Sequence, residues 1–336
     1  MSATTGFDLS ALTAFVNETQ FGNEWYSEPL LENNTFAVAD QNARVLTNAK
    51  GNTYKLPTME STATLKDGSE CGFTPTDQTT IDQTTLTMVP ITVQGQFCVR
   101  ELEDYFTAAQ LPAGQHYTGF QPLEAQMLAS IMEEVQAKFA HLPYYGPTGG
   151  DTVTYNNGWI DLLLPEAGIN LGTGNGTNGG VNGTDAAGVW NRVEAIKNRF
   201  LSYPNSAAGV FKDGEYTVEM SPLDASLYFE NMRTLFGQDT VTPLQAQFNA
   251  GNFASWIHPG SRIRIYVVNA LGTGREILGV RNRNKVLAFD LRSDTSRFEM
   301  GMDQYREYIW WKVRAKIGTS YRSFNEMDVA YYGAAS

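Results

Sequence analysis

Three histidines, two adjacent carboxylates and one glycine-rich stretch are the residues whose types and spacing could support chemistry. His116, His141 and His258 are far apart and form no HExxH or HxH pattern, which favours structural or exposed roles over metal binding. Glu133 and Glu134 are neighbours on a predicted helix, where such a pair is typical of a solvated face. The sequence therefore predicts neither a metal site nor an acid–base pair.

The glycine-rich stretch contains Gly174, Gly176 and Gly179, which satisfy the G-x-G-x-x-G pattern of dinucleotide-binding loops. That mechanism requires a buried strand before the loop and a helix directly after it. Further Gly, Asn and Thr residues follow here, so we expect residues 171–184 to form a flexible surface loop without a ligand. The sequence has no G-x-S-x-G elbow and no Walker phosphate loop. We therefore expect no catalytic residue, no cofactor and no enzymatic activity.

Composition limits the class of protein. The 336 residues are 42% hydrophobic and 12% aromatic, which is enough for a sizeable core and argues against disorder. No apolar run approaches the roughly 20 residues of a membrane helix, and the first residues lack a secretory signal pattern. Cys71 and Cys98 fit neither a disulfide framework nor a zinc site, so a reducing compartment is expected.

The charge is unevenly distributed along the chain. Residues 261–336 carry 13 Lys+Arg and 8 Asp+Glu, a balance of +5, whereas the other residues carry 11 and 28, a balance of −17, for a net charge of −12. This net negative charge argues against a protein that binds duplex DNA tightly. The two regions of opposite sign suggest that copies of the chain pair with each other.

The first 90 residues lack a core of their own. Residues 1–40 have scattered apolar side chains, so they are predicted to form an arm that lies on another surface, its own or a neighbour's. Residues 41–90 contain 12 threonines and are predicted to form an extended β-hairpin loop, with Lys50-Gly51-Asn52 as one hairpin turn. Such a hairpin is only marginally stable alone, so we expect it to require a neighbouring surface.

The remaining residues predict an α+β fold. Apolar residues recur every four positions over 121–140, which indicates a long spine helix. A helix is expected around 191–200, a strand at 216–220, and a second helix capped by Ser221. Residues 308–317 alternate between apolar residues and a basic, aromatic set, which predicts a half-buried strand.

The order of these elements resembles the major capsid protein of tailed bacteriophages, which has the Hong Kong 97 fold. The stretch ThrMetValProIleThrValGlnGlyGlnPheCysValArgGluLeuGluAsp is similar to the family's passage from extended loop to peripheral domain. AsnArgValGluAlaIleLysAsnArg and TyrThrValGluMetSerProLeuAspAlaSerLeu resemble elements of its axial domain. PheGluMetGlyMet through LysValArgAlaLysIleGlyThrSerTyrArg, followed by AsnGluMetAspValAlaTyrTyr, resembles its closing strands.

The resemblance implies a particular domain organisation. It comprises an N-terminal arm (1–40), an extended loop (41–90), a peripheral domain with its spine helix (91–143), an axial domain (144–290), peripheral-domain strands (291–318) and a closing axial strand (319–336).

The resemblance also implies a function. The chain would assemble with itself into the hexamers and pentamers of an icosahedral shell, in the host cytoplasm, and reside in the virion. Portal protein, scaffolding or decoration proteins, and weakly contacted packaged DNA would be its other partners, with no membrane. Two alternatives are an extracellular carbohydrate-binding or depolymerising phage protein, and a tail-tube structural protein.

Eight residues are expected at contacts between subunits. Three are lysines of the extended loop. Some family members crosslink a loop lysine to an asparagine of a neighbour, but no motif here identifies the acceptor, so only contact is expected. The other five form the basic, aromatic face of the predicted strand. The candidates are Lys50, Lys55, Lys66, Tyr308, Trp310, Lys312, Arg314 and Lys316.

Overall fold

The fold was obtained as a computed structural model, which describes residues 34–47, 49, 51–61, 79–98, 122–147, 157–166, 169–173, 186–201, 216–237, 255–272, 275–289, 297–303, 308–325 and 328–333. The helices described are α1 (Asn34–Asn42), α2 (Pro122–Tyr145), α3 (Trp159–Leu163), α4 (Ala186–Leu201) and α5 (Pro222–Phe236). The strands described are β1 (Arg44–Leu46), β2 (Thr53–Ser61), β3 (Thr79–Thr87), β4 (Val89–Cys98), β5 (Asn170–Thr173), β6 (Tyr216–Met220), β7 (Ser255–Ile257), β8 (Arg264–Val267), β9 (Ile277–Arg281), β10 (Lys285–Phe289), β11 (Arg297–Asp303), β12 (Tyr308–Tyr321) and β13 (Val329–Gly333).

The described strands form two main sheets and a hairpin. The five-stranded sheet has the order β1-β10-β12-β11, and β4 also pairs with β12. The six-stranded sheet has the order β5-β13-β9-β6-β8-β7. Strands β2 and β3 pair only with each other, antiparallel over their full length. Mixed sheets and helices confirm the α+β class predicted from the sequence.

The spine helix packs on the five-stranded sheet through the predicted stripe. Val135 and Phe139 of α2 form a buried cluster with Val313 and Ala315 of β12. The helix continues to Tyr145, five residues past the predicted end and through Pro143. Burial of Tyr144 in the main core outweighs the loss of one backbone donor at the proline. The boundary expected at residue 143 therefore falls inside this helix.

The six-stranded sheet is covered by α4 and α5. Their buried faces share one cluster with β6 and β8, including Val193, Phe229, Val218 and Ile265. Strand β6 spans the predicted residues, whereas α4 begins five residues before the expected start. The Ser221 hydroxyl accepts from the Asp224 backbone N–H, which confirms the predicted helix cap.

The structure tests two expectations for the first 90 residues. Lys50-Gly51-Asn52 does not join a hairpin, because β1 pairs in parallel with β10 while β2 pairs with β3. The end of the predicted arm lies on its own subunit, one of the two surfaces expected for it: it forms α1, and Phe36 is buried in the main core. Residues 1–33 lie outside the described residues.

The base of the hairpin is packed in its own subunit. Leu56 and Leu86 are buried with Val286 and Ala288 of β10. An added Cβ at Gly318 would lie 2.6 Å from the Thr87 carbonyl oxygen, so the hairpin crosses β12 at backbone contact distance. The expectation that the hairpin has no core of its own is therefore wrong at its base.

The C-terminal strands also differ in extent from the expectation. Strand β12 continues to Tyr321, four residues past the predicted end, and pairs with β10 there. Strand β10 lies within the range expected for the axial domain but belongs to the five-stranded sheet. Strand β13 lies between β5 and β9 in the six-stranded sheet. The chain therefore passes between the two sheets several times.

Candidate assembly surfaces

Strand β12 presents the predicted basic, aromatic face. Val313, Ala315 and Ile317 are buried, whereas Trp310 is 39% exposed and Arg314 is exposed. Because strand side chains alternate, the polar set lies opposite the face that packs on α2. The alternation read from the sequence is therefore confirmed, while contact with another subunit stays a prediction.

The other members of the basic face differ in accessibility. Lys312 and Lys316 are both half-buried. The ammonium group of Lys316 donates to the Asn52 side-chain oxygen at 2.9 Å, at the beginning of the hairpin. Lys316 therefore joins β12 to its own hairpin. Tyr308 begins β12 opposite Asp303 and Cys98, and its side chain is outside the described residues.

The loop lysines fall in different places. Lys55 is exposed on β2, directly opposite Thr85 of β3. Lys50 and Lys66 lie outside the described residues. On the same hairpin, Ile81 of β3 is 67% exposed, although Leu86 on that strand is fully buried. The hairpin thus changes from a core element at its base to a mostly polar, solvent-facing ribbon on which Ile81 is exposed.

An arginine cleft lies beside the hairpin base and was not predicted. Arg281, Arg283, Arg322 and Asp328 line a cleft of about 440 Å³. Arg281 and Asp328 form an ion pair at 3.2 Å, and Arg322 donates to the Pro57 carbonyl at 3.4 Å. The sequence signal was the alternating ArgAsnArgAsn turn between β9 and β10, which becomes a cluster only when residue 322 folds back onto it.

The six-stranded sheet also has an exposed apolar edge. Ile257, on edge strand β7, is 54% exposed. Leu235 and Phe236, at the end of α5, are 55% and 48% exposed. Unpaired edges and exposed apolar residues are features of surfaces that meet other chains. No pattern in the sequence marks them as exposed, because their periodicity resembles that of core residues.

Comparison with known proteins identifies the fold. No protein-family model matches the sequence, and no curated protein matches it. A chain in the satellite phage P4 procapsid, a structure that includes the size determination (Sid) protein, is similar over 100% of this chain and 98% of its own length, with a TM-score of 0.54 and 12% identity. A chain in the capsid of an empty GTA particle is similar over 89% of both chains, with a TM-score of 0.50 and 13% identity. This chain has a phage capsid fold.

Within this capsid fold, His258 has a structural position. Its Nε2 lies 2.7 Å from a Glu194 carboxylate oxygen and its Nδ1 lies 2.7 Å from the Tyr228 hydroxyl. A carboxylate only accepts, so the neutral ring donates from Nε2 and accepts from Tyr228. Burial lowers the pKa of His258, and Glu194 opposes that shift. Because His258 and Tyr228 are fully buried, the three residues brace α4, α5 and β7.

A second buried polar cluster lies under the N-terminus of α5. The Asp224 carboxylate contacts the guanidinium groups of Arg192 at 3.4 Å and Arg275 at 3.0 Å. Burial lowers the pKa of Arg192, and Asp224 opposes the shift. As an acidic residue in the first turn of α5, Asp224 is favoured by the helix dipole. Its two arginine partners come from distant segments, which a linear pattern does not reveal.

The remaining chemical expectations have mixed outcomes. His141 stacks on Tyr145 with ring centroids 4.4 Å apart, and Glu133 and Glu134 are exposed on α2. Within the described ranges, no group of three metal-ligating side chains occurs and no helix is long and apolar enough to cross a membrane. His116 and the glycines of residues 174–179 are outside the described part of the chain.

Proposed function

We propose that this chain is the major capsid protein of a tailed double-stranded DNA bacteriophage, with a Hong Kong 97-type organisation. The observation that carries the proposal is the similarity of the entire chain to a chain of a phage procapsid. The acidic net charge is consistent with this role, because a container that bound its DNA tightly would hinder packing and release. The carbohydrate-binding and tail-tube alternatives gain no support from the comparisons.

Two surfaces are proposed to join subunits in the shell. The first is the outer face of β12 with the arginine cleft, which would receive acidic surface of a neighbour. The second is the solvent-facing part of the hairpin, where Ile81 would be buried by another copy. Each surface combines charge or apolar area with an anchored backbone, so little ordering is required on association.

The domain organisation implied by the resemblance belongs to the same proposal. The six-stranded sheet would form the axial domain, and the five-stranded sheet with α2 would form the peripheral domain. The exposed Ile257 and Phe236 would then meet equivalent edges around the centre of a hexamer or pentamer. Portal and scaffolding proteins would bind the assembled shell, which would reside in the virion.

Electron microscopy of the purified protein tests this function. We expect closed shells, either directly or after addition of a co-expressed scaffolding protein. Tubes would support the tail-tube alternative. Soluble monomers that bind polysaccharide and do not assemble with the other head proteins would contradict the capsid proposal. The Lys312→Glu/Arg314→Glu variant distinguishes the surfaces: it should stay folded but no longer assemble.

A further inference from the structure

A buried polar cluster lies at the junction of the two sheets. Glu219 of β6 and Lys285 of β10 form an ion pair in which both side chains are fully buried. Asn42, the last residue of α1, is 1% exposed and also donates its side-chain amide N–H to Glu219. The Lys285 and Asn42 nitrogens contact the same carboxylate oxygen, Glu219 Oε1. An amine and a carboxamide are therefore held side by side on one carboxylate.

Aromatic side chains enclose this cluster. The Lys285 nitrogen lies 4.4 Å from the centroid of the Trp159 ring and 5.3 Å from that of Tyr144. The Tyr144 hydroxyl donates to the second Glu219 oxygen at 2.9 Å. Trp159 and Tyr144 are fully buried. The walls exclude solvent and fix the carboxylate, as a site for amide chemistry requires.

Burial of the cluster favours a nucleophilic amine. Burial lowers the pKa of Lys285, and the Glu219 carboxylate opposes that shift. A lysine desolvated in this way more readily reaches the neutral form that attacks a carbonyl carbon. The Glu219 carboxylate contacts the Lys285 ammonium group directly, so it is positioned to accept the proton that the amine releases.

Asn42 provides a second, independent observation. Within the described part of the chain, its buried Oδ1 has no hydrogen-bond partner. A buried carbonyl oxygen without a donor is unfavourable and calls for a chemical explanation. Once Glu219 carries a proton, its hydroxyl can donate to Oδ1 after the amide group turns over. That contact would polarise the Asn42 carbonyl toward attack.

We propose that the Lys285 side chain forms an isopeptide bond with the Asn42 side chain inside the same subunit, with Glu219 carrying the protons. Glu219 first takes one proton from the Lys285 ammonium group. The neutral Nζ then attacks Asn42 Cγ, forming the new C–N bond. A proton from Nζ passes through the Glu219 carboxyl group to Nδ2. The Cγ–Nδ2 bond breaks, ammonia leaves, and no oxidant or other reactant is required.

The bond would join segments that are far apart in the chain. It would attach the end of α1 to β10 at the position where the two sheets meet. The crosslinked loop would contain β2, β3, α2 and five of the six strands of the six-stranded sheet, so the unfolded chain would lose conformational freedom. This inference concerns a single subunit and does not depend on the proposed function. Failure of shell assembly therefore leaves it intact.

Mass spectrometry of the purified full-length chain tests the proposal. The denatured protein should be lighter than its sequence by one ammonia molecule. Trypsin should not cut after Lys285, and the digest should contain a branched peptide joining residues 1–44 to residues 284–292. The Asn42→Ala and Lys285→Met variants should lack the branched peptide, and in Asn42→Ala trypsin should cut after Lys285.

The chain supplies its own matched control. Lys316 also contacts an asparagine, Asn52, but is only half-buried and meets the asparagine directly through Oδ1. We expect no branched peptide between these two residues and normal cleavage after Lys316. A branched peptide at both pairs would indicate nonspecific crosslinking and would contradict a built site.

Variants of Glu219 test the role of the carboxylate. Glu219→Gln preserves size but cannot carry the protons, so its branched peptide should be lost. Glu219→Asp retains a carboxylate and should form the bond more slowly. The wild-type mass decides the main point whatever the folding of these variants. An unmodified mass, or a loss of ammonia with normal cleavage after Lys285 (a succinimide at Asn42), would overturn the proposal.

Discussion

Two regions of the molecule place their polar side chains in opposite environments. One is the six-stranded sheet covered by α4 and α5, and the other is the hairpin with the adjacent face of β12. Under α5, Asp224 and Arg192 are fully buried and form an ion pair with each other. Along the hairpin and β12, polar residues such as Lys55 and Arg314 face solvent, and the apolar Ile81 is exposed beside them. The first region is complete within one chain, whereas the second presents surface that another chain can complete.

The largest expected effect comes from removing the carboxylate at the centre of the buried cluster under α5. Asp224→Ala leaves two arginine side chains without their carboxylate, and breaking a buried pair in this way costs about 3–5 kcal/mol. We expect a loss of that size in the free energy of unfolding, measured by urea denaturation of the unassembled subunit. Glu230→Ala, an exposed position on the same helix, is the control and should have little effect. Equal losses for both variants would refute the distinction.

The hairpin contains both a buried and an exposed apolar side chain on strand β3, which permits a matched pair of variants. Leu86→Ala removes a fully buried side chain and should destabilise the subunit by about 2–5 kcal/mol. Ile81→Ala, on the same strand, should change subunit stability by less than about 0.5 kcal/mol while reducing assembly. Denaturation curves and sedimentation analysis measure the two effects. A large stability loss for Ile81→Ala would show that the ribbon belongs entirely to the subunit core.

The buried carboxyl group of Glu276 makes the stability of the subunit depend on pH. Burial raises the pKa of Glu276 to about 7, and its hydrogen bond from Tyr331 opposes the shift. Tyr145 also donates to this carboxyl group. The folded-state pKa is above the ordinary value, so the contribution to stability is complete below about pH 4.5 and is lost as pH rises through about 7.

The corresponding measurement compares unfolding free energies of wild type and Glu276→Gln from pH 5 to pH 9. The wild type should lose up to about 3 kcal/mol relative to the variant across this range, since one pKa unit corresponds to about 1.4 kcal/mol. Glu230→Gln serves as the exposed control. A difference between wild type and Glu276→Gln that does not change with pH would contradict a raised pKa.

The smallest expected effect on the subunit comes from the β12 face. Lys312→Glu with Arg314→Glu should leave the unfolding free energy within about 0.5 kcal/mol of wild type, as surface substitutions usually do. Assembly should be lost, and wild-type assembly should weaken as salt rises, because exposed charges are screened beyond about 10 Å at 0.1 M salt. Lys138→Glu, on the exposed face of α2, is the control. Normal shells from the double variant at both low and high salt would refute electrostatic pairing.

Local patterns predicted those parts of the fold that depend on neighbouring residues. The Ser221 cap, the spine helix and the alternation along β12 follow from hydrogen bonding and burial within one element. Patterns failed where a distant segment decided the outcome. Lys50-Gly51-Asn52 was predicted as a hairpin turn, but β1 pairs with β10 instead. The high threonine content of residues 41–90 gave no indication that Leu86 is buried.

The candidate surfaces follow the same rule. The face containing Trp310 and Arg314 was predictable because a strand alternates along its own sequence. The arginine cleft and the cluster of Glu219, Lys285 and Asn42 were not, since each assembles residues from segments that meet only after both sheets form. Long-range contacts of this kind leave no periodic signal.

Strand β12 pairs with β4, β10 and β11, so three strands share one partner that is synthesised after them. At about 5–20 residues per second, β4 waits on the order of ten seconds or more for that partner. During this time its apolar face is open to chaperones on the translating ribosome. A truncated chain ending before residue 308 never completes the sheet. Such a chain lacks the strand with which β4, β10 and β11 pair, so it cannot present the β12 face to other copies.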